Sequence, residues 1–299
     1  MTFAEPAASP AIRPRRSALF LPASNPRAIE KARGLDVDVV ILDLEDAVAP
    51  EAKVAARAAA VAAVLSGGWG HRELVVRVNG LDTPWAADDL AALAEVGSGA
   101  GVRVGAARGA DAVLLPKVAS PDTLVETRAA LGDGPALWAM VETARGVLNL
   151  PAIADAGLGL AVLVAGTNDL ARELRCRPGA SRDPLIPALA HIVLAARAAG
   201  LGVLDGVCNA IGDAELLGAE CRQGRDMGFD GKTLIHPSQI DAANTAFAPD
   251  AEEVAWARRV VDAFAGEDRG AIRLDGRMVE RLHLEEARRA LALAEAIAR

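Results

Sequence analysis

The chain is short of the residues that build disulfide frameworks and metal clusters. It has three cysteines, Cys176, Cys208 and Cys221, and four histidines in 299 residues. No CxxC pair occurs. An odd, sparse set of cysteines points to a reducing compartment and away from structural zinc. The histidines do not cluster, which also argues against zinc, and Cys176 and Cys221 read as core residues. No apolar run approaches the roughly 18 residues of a membrane span. The stretch nearest to a secretory leader follows Arg13, Arg15 and Arg16, but Pro22 breaks it and Ser24-Asn25 follows, so it is too short for a signal h-region. The expectation is a cytoplasmic protein with residues 1–15 as a flexible tail. Positive charge is in deficit too. Lys and Arg number 32 against 40 Asp and Glu, a formal charge of −8. That excludes a general nucleic-acid binder but leaves room for a local basic pocket.

What is present is ordinary globular material, 52% hydrophobic and 24% charged. Eight short apolar runs recur: 17–23, 37–46, 73–80, 111–118, 136–143, 160–169, 201–209 and 231–237. They are continuous rather than alternating, as strands buried on both faces require. Ala/Leu-rich stretches lie between them. Thr83-Pro84 and Ser120-Pro121 read as helix starts, and Gly67-Gly68, Gly132 and Gly200 as helix stops. Alternation at about 30 residues per unit predicts a parallel sheet, and eight units predict a (β/α)8 barrel of the TIM type over 16–248. A doubly wound open sheet is the alternative. Residues 249–299 exceed what one closing helix needs. They read as a helical extension, with a helix around 250–265, a glycine-containing loop over 266–276 and a helix from about 278, serving as a lid or an oligomer arm. Gly97-Ser-Gly-Ala-Gly101 has no strand before it and reads as a surface turn, not a phosphate loop.

In such a barrel the chemistry sits at the C-terminal ends of the strands. Those ends are unusually polar here. They carry Asp43, Glu45 and Asp46; Arg77 and Asn79; Lys117; Glu142 and Thr143; Thr167, Asn168 and Asp169; Asp205 and Asn209; and His236. A charge placed straight after a buried run is costly unless it is paired or binds a metal. Glu142 and Asp169, on adjacent strands, suit a hard divalent cation such as Mg2+. The alternative is that Asp169 caps the next helix and Glu142 pairs with Arg145. Arg77 needs an anion, either a substrate carboxylate or thioester enolate, or a structural partner in Asp43 or Glu45. Arg27, Lys31, Arg33 and Lys117 are placed to meet phosphates or, equally, solvent. His236 reads as structural.

With these residues in view, the chain resembles the HpcH/HpaI aldolase and citrate lyase beta-subunit superfamily. The segments that carry the likeness are LFLPASNPRAIEKA, VVILDLEDAVAPEAK, VVRVNG, DAVLLPKV, MVETARGVLNL, GTNDLA and GFDGKTLIHPSQI, in order from about 17 to 240. The closer likeness is to its CoA-ester lyases, acting on malyl-, methylmalyl-, citramalyl- or citryl-CoA. The resemblance implies Mg2+, with Mn2+ as a substitute, on Glu142 and Asp169, and Arg77 on the substrate. It implies CoA contacts from Phe20, Arg27 and Lys31, with Ile235 and Pro237 near the pantetheine. It also implies a homotrimer or homohexamer in which a C-terminal lid reaches a neighbour's site.

That lid carries a proton-exchanging aspartate in related lyases. Here the matching stretch is Gly276-Arg-Met-Val-Glu280-Arg281, with glutamate for aspartate and no following proline. Cys208 and Ala210 likewise stand where similar sequences carry Tyr and Asp. The expected activity is metal-dependent carbon–carbon cleavage of a carboxylated 3-hydroxyacyl-CoA into an acyl-CoA and a keto acid. In it Arg77 steadies the enolate, Glu45 and Asp46 assist, and Glu280 donates the proton. Two other readings compete: an aldolase on free 4-hydroxy-2-oxo acids, and a non-catalytic acyl-binding or assembly subunit.

Overall fold

The computed structural model describes residues 12–97, 109–179, 181–265 and 270–298. The sequence tail up to residue 11, residues 98–101 of the glycine-rich turn and 266–269 of the later glycine loop lie outside the described residues.

Eight parallel strands close a barrel in chain order: β1 (Ser17–Pro22), β2 (Val39–Asp43), β3 (Glu73–Arg77), β4 (Ala112–Leu115), β5 (Ala136–Val141), β6 (Leu160–Ala165), β7 (Gly202–Asp205) and β8 (Gly231–Leu234). β8 pairs back onto β1, which leaves no edge and removes the open-sheet alternative. Between strands run α1 (Pro26–Ala32), α2 (Lys53–Ser66), α3 (Ala86–Gly97), α4 (Pro121–Leu131), α5 (Ala144–Leu148) and α6 (Leu150–Ala154). They continue with α7 (Thr167–Leu174), α8 (Ile186–Ala198), α9 (Ala214–Met227) and α10 (Ile240–Phe247). This is the (β/α)8 barrel the alternation predicts.

Local signals explain several boundaries. Ser120 caps α4 by accepting the Asp122 N–H, with Pro121 as first helical residue. Gly67 and Gly132 close α2 and α4 at positive φ, where a Cβ is unfavourable. Thr83-Pro84 does not start a helix. Thr83 turns back to the Gly80 carbonyl through its N–H and its hydroxyl, and α3 begins at Ala86.

Side chains alternate across each strand, so one parity fills the barrel and the other meets the helices. Ala18, Ile41, Val75, Leu114, Trp138, Val164 and Leu204, from seven strands, form one buried cluster with Phe20 against it. The same parity, carried up β2, β3 and β5, reaches Asp43, Arg77 and, just past β5, Glu142. Asp205 and Lys232 have the other parity and lie in the helix layer.

Residues Arg15–Ala246 make one compact unit, and the described residues from Phe247 onward belong to another. The second contains α11 (Ala251–Phe264), an antiparallel hairpin of β9 (Ala271–Leu274) and β10 (Arg277–Glu280), and α12 (Arg281–Ile297). Its core is Ala257, Val260, Phe264, Val279, Leu284 and Ala287. The hairpin corrects the expectation of a loop running into a helix from 278. Asp275 and Gly276, both at positive φ, form its two-residue turn, and Asp-Gly between short apolar runs is the sequence signal for it. No helix among the described residues is long and apolar enough to cross a membrane.

Candidate active site

The register of β2 against β3 sets Asp43 beside Arg77. Arg77 Nε and Nη2 each donate to an Asp43 oxygen at 2.6 Å. Asp43 is fully buried, and its oxygens also accept the N–H groups of Glu45 and Ala47, which shapes the turn after β2. Burial alone would lower the Arg77 pKa. The Asp43 hydrogen bond and the charges of Asp43, Glu45 and Glu142 more than offset it, so the guanidinium is held firmly as a cation. Arg77 Nη1 lies 2.9 Å from Glu45 Oε2 and 3.6 Å from Met140 Sδ, and the Phe20 ring centre is 4.8 Å from its ζ carbon. The structural alternative for Arg77 therefore holds: it pairs with both Asp43 and Glu45. Of its five N–H groups, these contacts leave one on Nη2 for a further acceptor.

Glu45 is buried, and its carboxyl is pushed up by desolvation against the pull of Arg77 and Lys117. Its Oε1 pairs with Lys117 Nζ, while Oε2 has no aligned hydrogen-bond donor. Lys117 thus faces a carboxylate rather than standing free for phosphate. Asp46, paired with Glu45 in the sequence reading, is mostly exposed, 4.0 Å from Lys117 Nζ.

Glu142 follows β5 and is 2% exposed. Its Oε1 accepts the backbone N–H of Lys117 at 2.7 Å, not a bond from Arg145. Burial, and next the Glu45 charge, push its carboxyl up to about 7, with Asp169 adding to the shift. Gly166, between β6 and α7, explains how the carboxylate fits. A Cβ there would overlap the Glu142 Cβ and carboxylate. Nothing in the sequence reading singled out Gly166; the glycine standing directly before Thr167-Asn168-Asp169 was the available signal. Asp169 lies in the first turn of α7, where an anion is favoured, but Gly166 and not Asp169 is the N-cap. Asp169 Oδ1 is 2.7 Å from the exposed Arg172.

Among the described residues no three His, Cys, Asp or Glu side chains gather into a metal-binding group. Glu142 and Asp169 nonetheless fit a Mg2+-type ion, which takes one or two carboxylates and completes its shell with water or substrate. A carboxyl raised by burial and then by neighbouring carboxylates is the environment a hard cation relieves.

The structure assigns other strand-end polar residues to the framework. Asp205 binds Arg182 and Lys232, and Lys232 also meets Glu220, all four being buried in the helix layer. Asn79 bonds Asp89 and Lys53. Arg33 stacks on Trp69 and donates to the Ser66 hydroxyl. His236 caps the turn at Pro237 by accepting the Ser238 N–H, as its structural reading expects. Asn168 and Asn209 exchange side-chain amide bonds at 3.1 and 2.7 Å. All three cysteines are free. Cys208 and Cys221 are buried, the Cys221 thiol being pushed up to about 11 by burial, but Cys176 is only half-buried and not core.

Of the residues expected at CoA, Arg27 and Lys31 are exposed one turn apart on α1, and Ile235 and Pro237 follow β8, the strand next to β1. Phe20 differs, since it faces the barrel interior against Arg77. Glu280, in the other unit, ends β10 and is the N-cap of α12, its N–H donating to His283 Nδ1 at 2.9 Å.

Fold and site together define a (β/α)8-barrel protein whose polar centre crowns the strands. The family model of HpcH/HpaI aldolase/citrate lyase matches residues 16–237, and the chain belongs to that family. A (3S)-malyl-CoA thioesterase of Cereibacter sphaeroides is 48% identical over 288 residues, covering 95% of this chain and 96% of its own. An L-malyl-CoA/beta-methylmalyl-CoA lyase of the same species is 33% identical, with 97% of each chain covered. The solved structure of CitE from Mycobacterium tuberculosis with magnesium, acetoacetate and coenzyme A is 37% identical. Its TM-score is 0.75, over 93% of this chain and 97% of that one. The relatives are thus enzymes of the CoA-ester lyase and thioesterase group.

Proposed function

We propose that the protein hydrolyses the thioester of a malyl-CoA-type substrate, a short hydroxy acid with a second carboxylate, giving CoA and the free hydroxy diacid. The observation that carries this reading is the Arg77 fork locked by Asp43 beside two buried carboxyls raised by desolvation, Glu45 and Glu142. The malyl-CoA thioesterase relative at 48% identity supports the substrate class. The remaining Nη2 N–H of Arg77 stabilises the thioester oxygen as it gains negative charge. Glu45, with one oxygen lacking an aligned donor, takes the proton of the attacking water. The first N–H groups of α7, at Thr167–Asp169, suit the second carboxylate. Arg27 and Lys31 meet CoA phosphates, and Ile235 and Pro237 its pantetheine arm. Mg2+, or Mn2+ in its place, would be held by Glu142 and Asp169 and would supply Lewis acidity at the substrate's oxygens.

Carbon–carbon cleavage is the second reading, supported by the lyase relative. Both reactions put charge on the same thioester oxygen. They part at the neighbouring carbon, which must receive a proton in cleavage and is untouched in hydrolysis. The residue that the family resemblance offers as donor is Glu280, a glutamate where related lyases carry aspartate, and hydrolysis needs no such donor. The test is incubation with Mg2+ and malyl-, β-methylmalyl-, citramalyl- and citryl-CoA, reading free thiol, with EDTA and Glu142→Ala as controls. Metal-dependent thiol release that the variant lacks is expected. Undiminished release by Glu142→Ala would remove this site from the reaction.

A further inference from the structure

One residue outside the expected catalytic set touches both buried glutamates. Lys117 has φ of 51°, in the left-handed region that glycine and asparagine enter readily and lysine rarely does. The turn follows Pro116, and Val118 N–H returns to the Met140 carbonyl on β5. Held this way, the backbone N–H of Lys117 meets Glu142 Oε1 at 2.7 Å. Its side chain, 40% exposed, reaches in the same neighbourhood to Glu45 Oε1. Strained backbone persists only where the surroundings enforce it, and it concentrates at functional sites.

We propose that Lys117 is a positioning residue with two separable parts. Its left-handed backbone aims an N–H that pins one oxygen of Glu142 and leaves the other for the cation. Its ammonium holds Glu45 by Oε1, so that Oε2 stays turned to Arg77 Nη1. The inference rests on the proposed function above, in which Glu142 holds a divalent cation.

Two substitutions separate the parts, because both remove the ammonium and only one resists the backbone. Lys117→Asn tolerates positive φ; Lys117→Val, β-branched, does not. The first readout is Mn2+ binding without substrate, followed by electron paramagnetic resonance. Lys117→Asn is expected to bind Mn2+ as well as wild type or more tightly, since a positive charge has left the site. Lys117→Val is expected to bind about tenfold more weakly, a difference of about 1.4 kcal/mol. The second readout is turnover. Lys117→Asn should lose at least about tenfold in kcat with its Mn2+ affinity kept, and Lys117→Arg should recover most of that loss. Thermal melts establish that each variant is folded, and Lys117→Ala replaces Val if Val is not, with the same ordering expected. Equal Mn2+ affinity in the Asn and Val variants overturns the backbone part, and unchanged kcat in Lys117→Asn overturns the ammonium part. Wild type that binds no Mn2+ takes down the metal reading itself and this inference with it, an outcome distinct from the other two.

Discussion

Glu142→Gln in the metal-free protein isolates the cost of the buried charge. The glutamine keeps an oxygen for the Lys117 N–H and changes the volume little, so charge is what is removed. The Glu142 carboxyl moves from 4.5 to about 7, chiefly through burial and then through Glu45. A carboxyl raised on folding binds more protons in the native state than in the unfolded chain between those two values. Its contribution to stability is therefore complete below 4.5 and is lost as pH rises to about 7. At 1.36 kcal/mol per pH unit, the loss from this group is about 3 kcal/mol. That is a large share of a typical net stability of about 5–15 kcal/mol. Urea unfolding with EDTA, at intervals from pH 5 to 8, should show the wild type losing stability relative to Glu142→Gln across that window. The variant should be the more stable above pH 7. Saturating Mg2+ should restore the wild type and leave the variant unmoved. Parallel pH profiles for the two proteins would overturn the prediction, because Glu142 would then titrate as an ordinary exposed carboxylate.

Asp43→Ala strips the buried Arg77 of its two 2.6 Å bonds and should cost about 3–5 kcal/mol, as removal of one partner of a buried ion pair does; a urea midpoint within error of wild type would contradict it. Gly166→Ala drives a methyl into the Glu142 carboxylate and should cost at least about 1–3 kcal/mol while weakening Mn2+ binding, read by thermal melt and titration. Lys232→Met leaves Asp205 and Glu220 buried in the helix layer without their shared cation and should also cost about 3–5 kcal/mol. Because Lys232 faces away from the barrel interior, activity per folded molecule should stay within about twofold.

The barrel was legible because strands buried on both faces must be apolar at every position, and eight such runs contain the eight observed strands. The site carboxylates and Arg77 were legible from their place just after those runs. Which way a strand-end residue points was not. One residue of register sends Asp205 into the helix layer and Arg77 into the barrel, and a continuous apolar run holds no alternation from which to read parity. Asn79 and Lys117 looked like a site amide and a site cation on position alone, yet Asn79 bonds Asp89 on α3 and Lys53 on α2, and Lys117 bonds Glu45 after β2, partners that position along one strand does not reveal. Gly166 acts through what it lacks, and Lys117 through a backbone angle that no residue type signals. The C-terminal hairpin, by contrast, has its signal in Asp275-Gly276, inside a glycine-containing stretch that also fits a loop.

Hydrolysis and carbon–carbon cleavage of one substrate leave different products, and water labelled with oxygen-18 separates them in a single experiment. The protein, loaded with Mg2+, is given (3S)-malyl-CoA in labelled water, and the products are resolved by mass spectrometry. Hydrolysis gives free CoA and malate with one labelled oxygen in the carboxylate that had been the thioester, and no acetyl-CoA. Acetyl-CoA with glyoxylate, and no labelled malate, would contradict hydrolysis and return Glu280 to the role of proton donor.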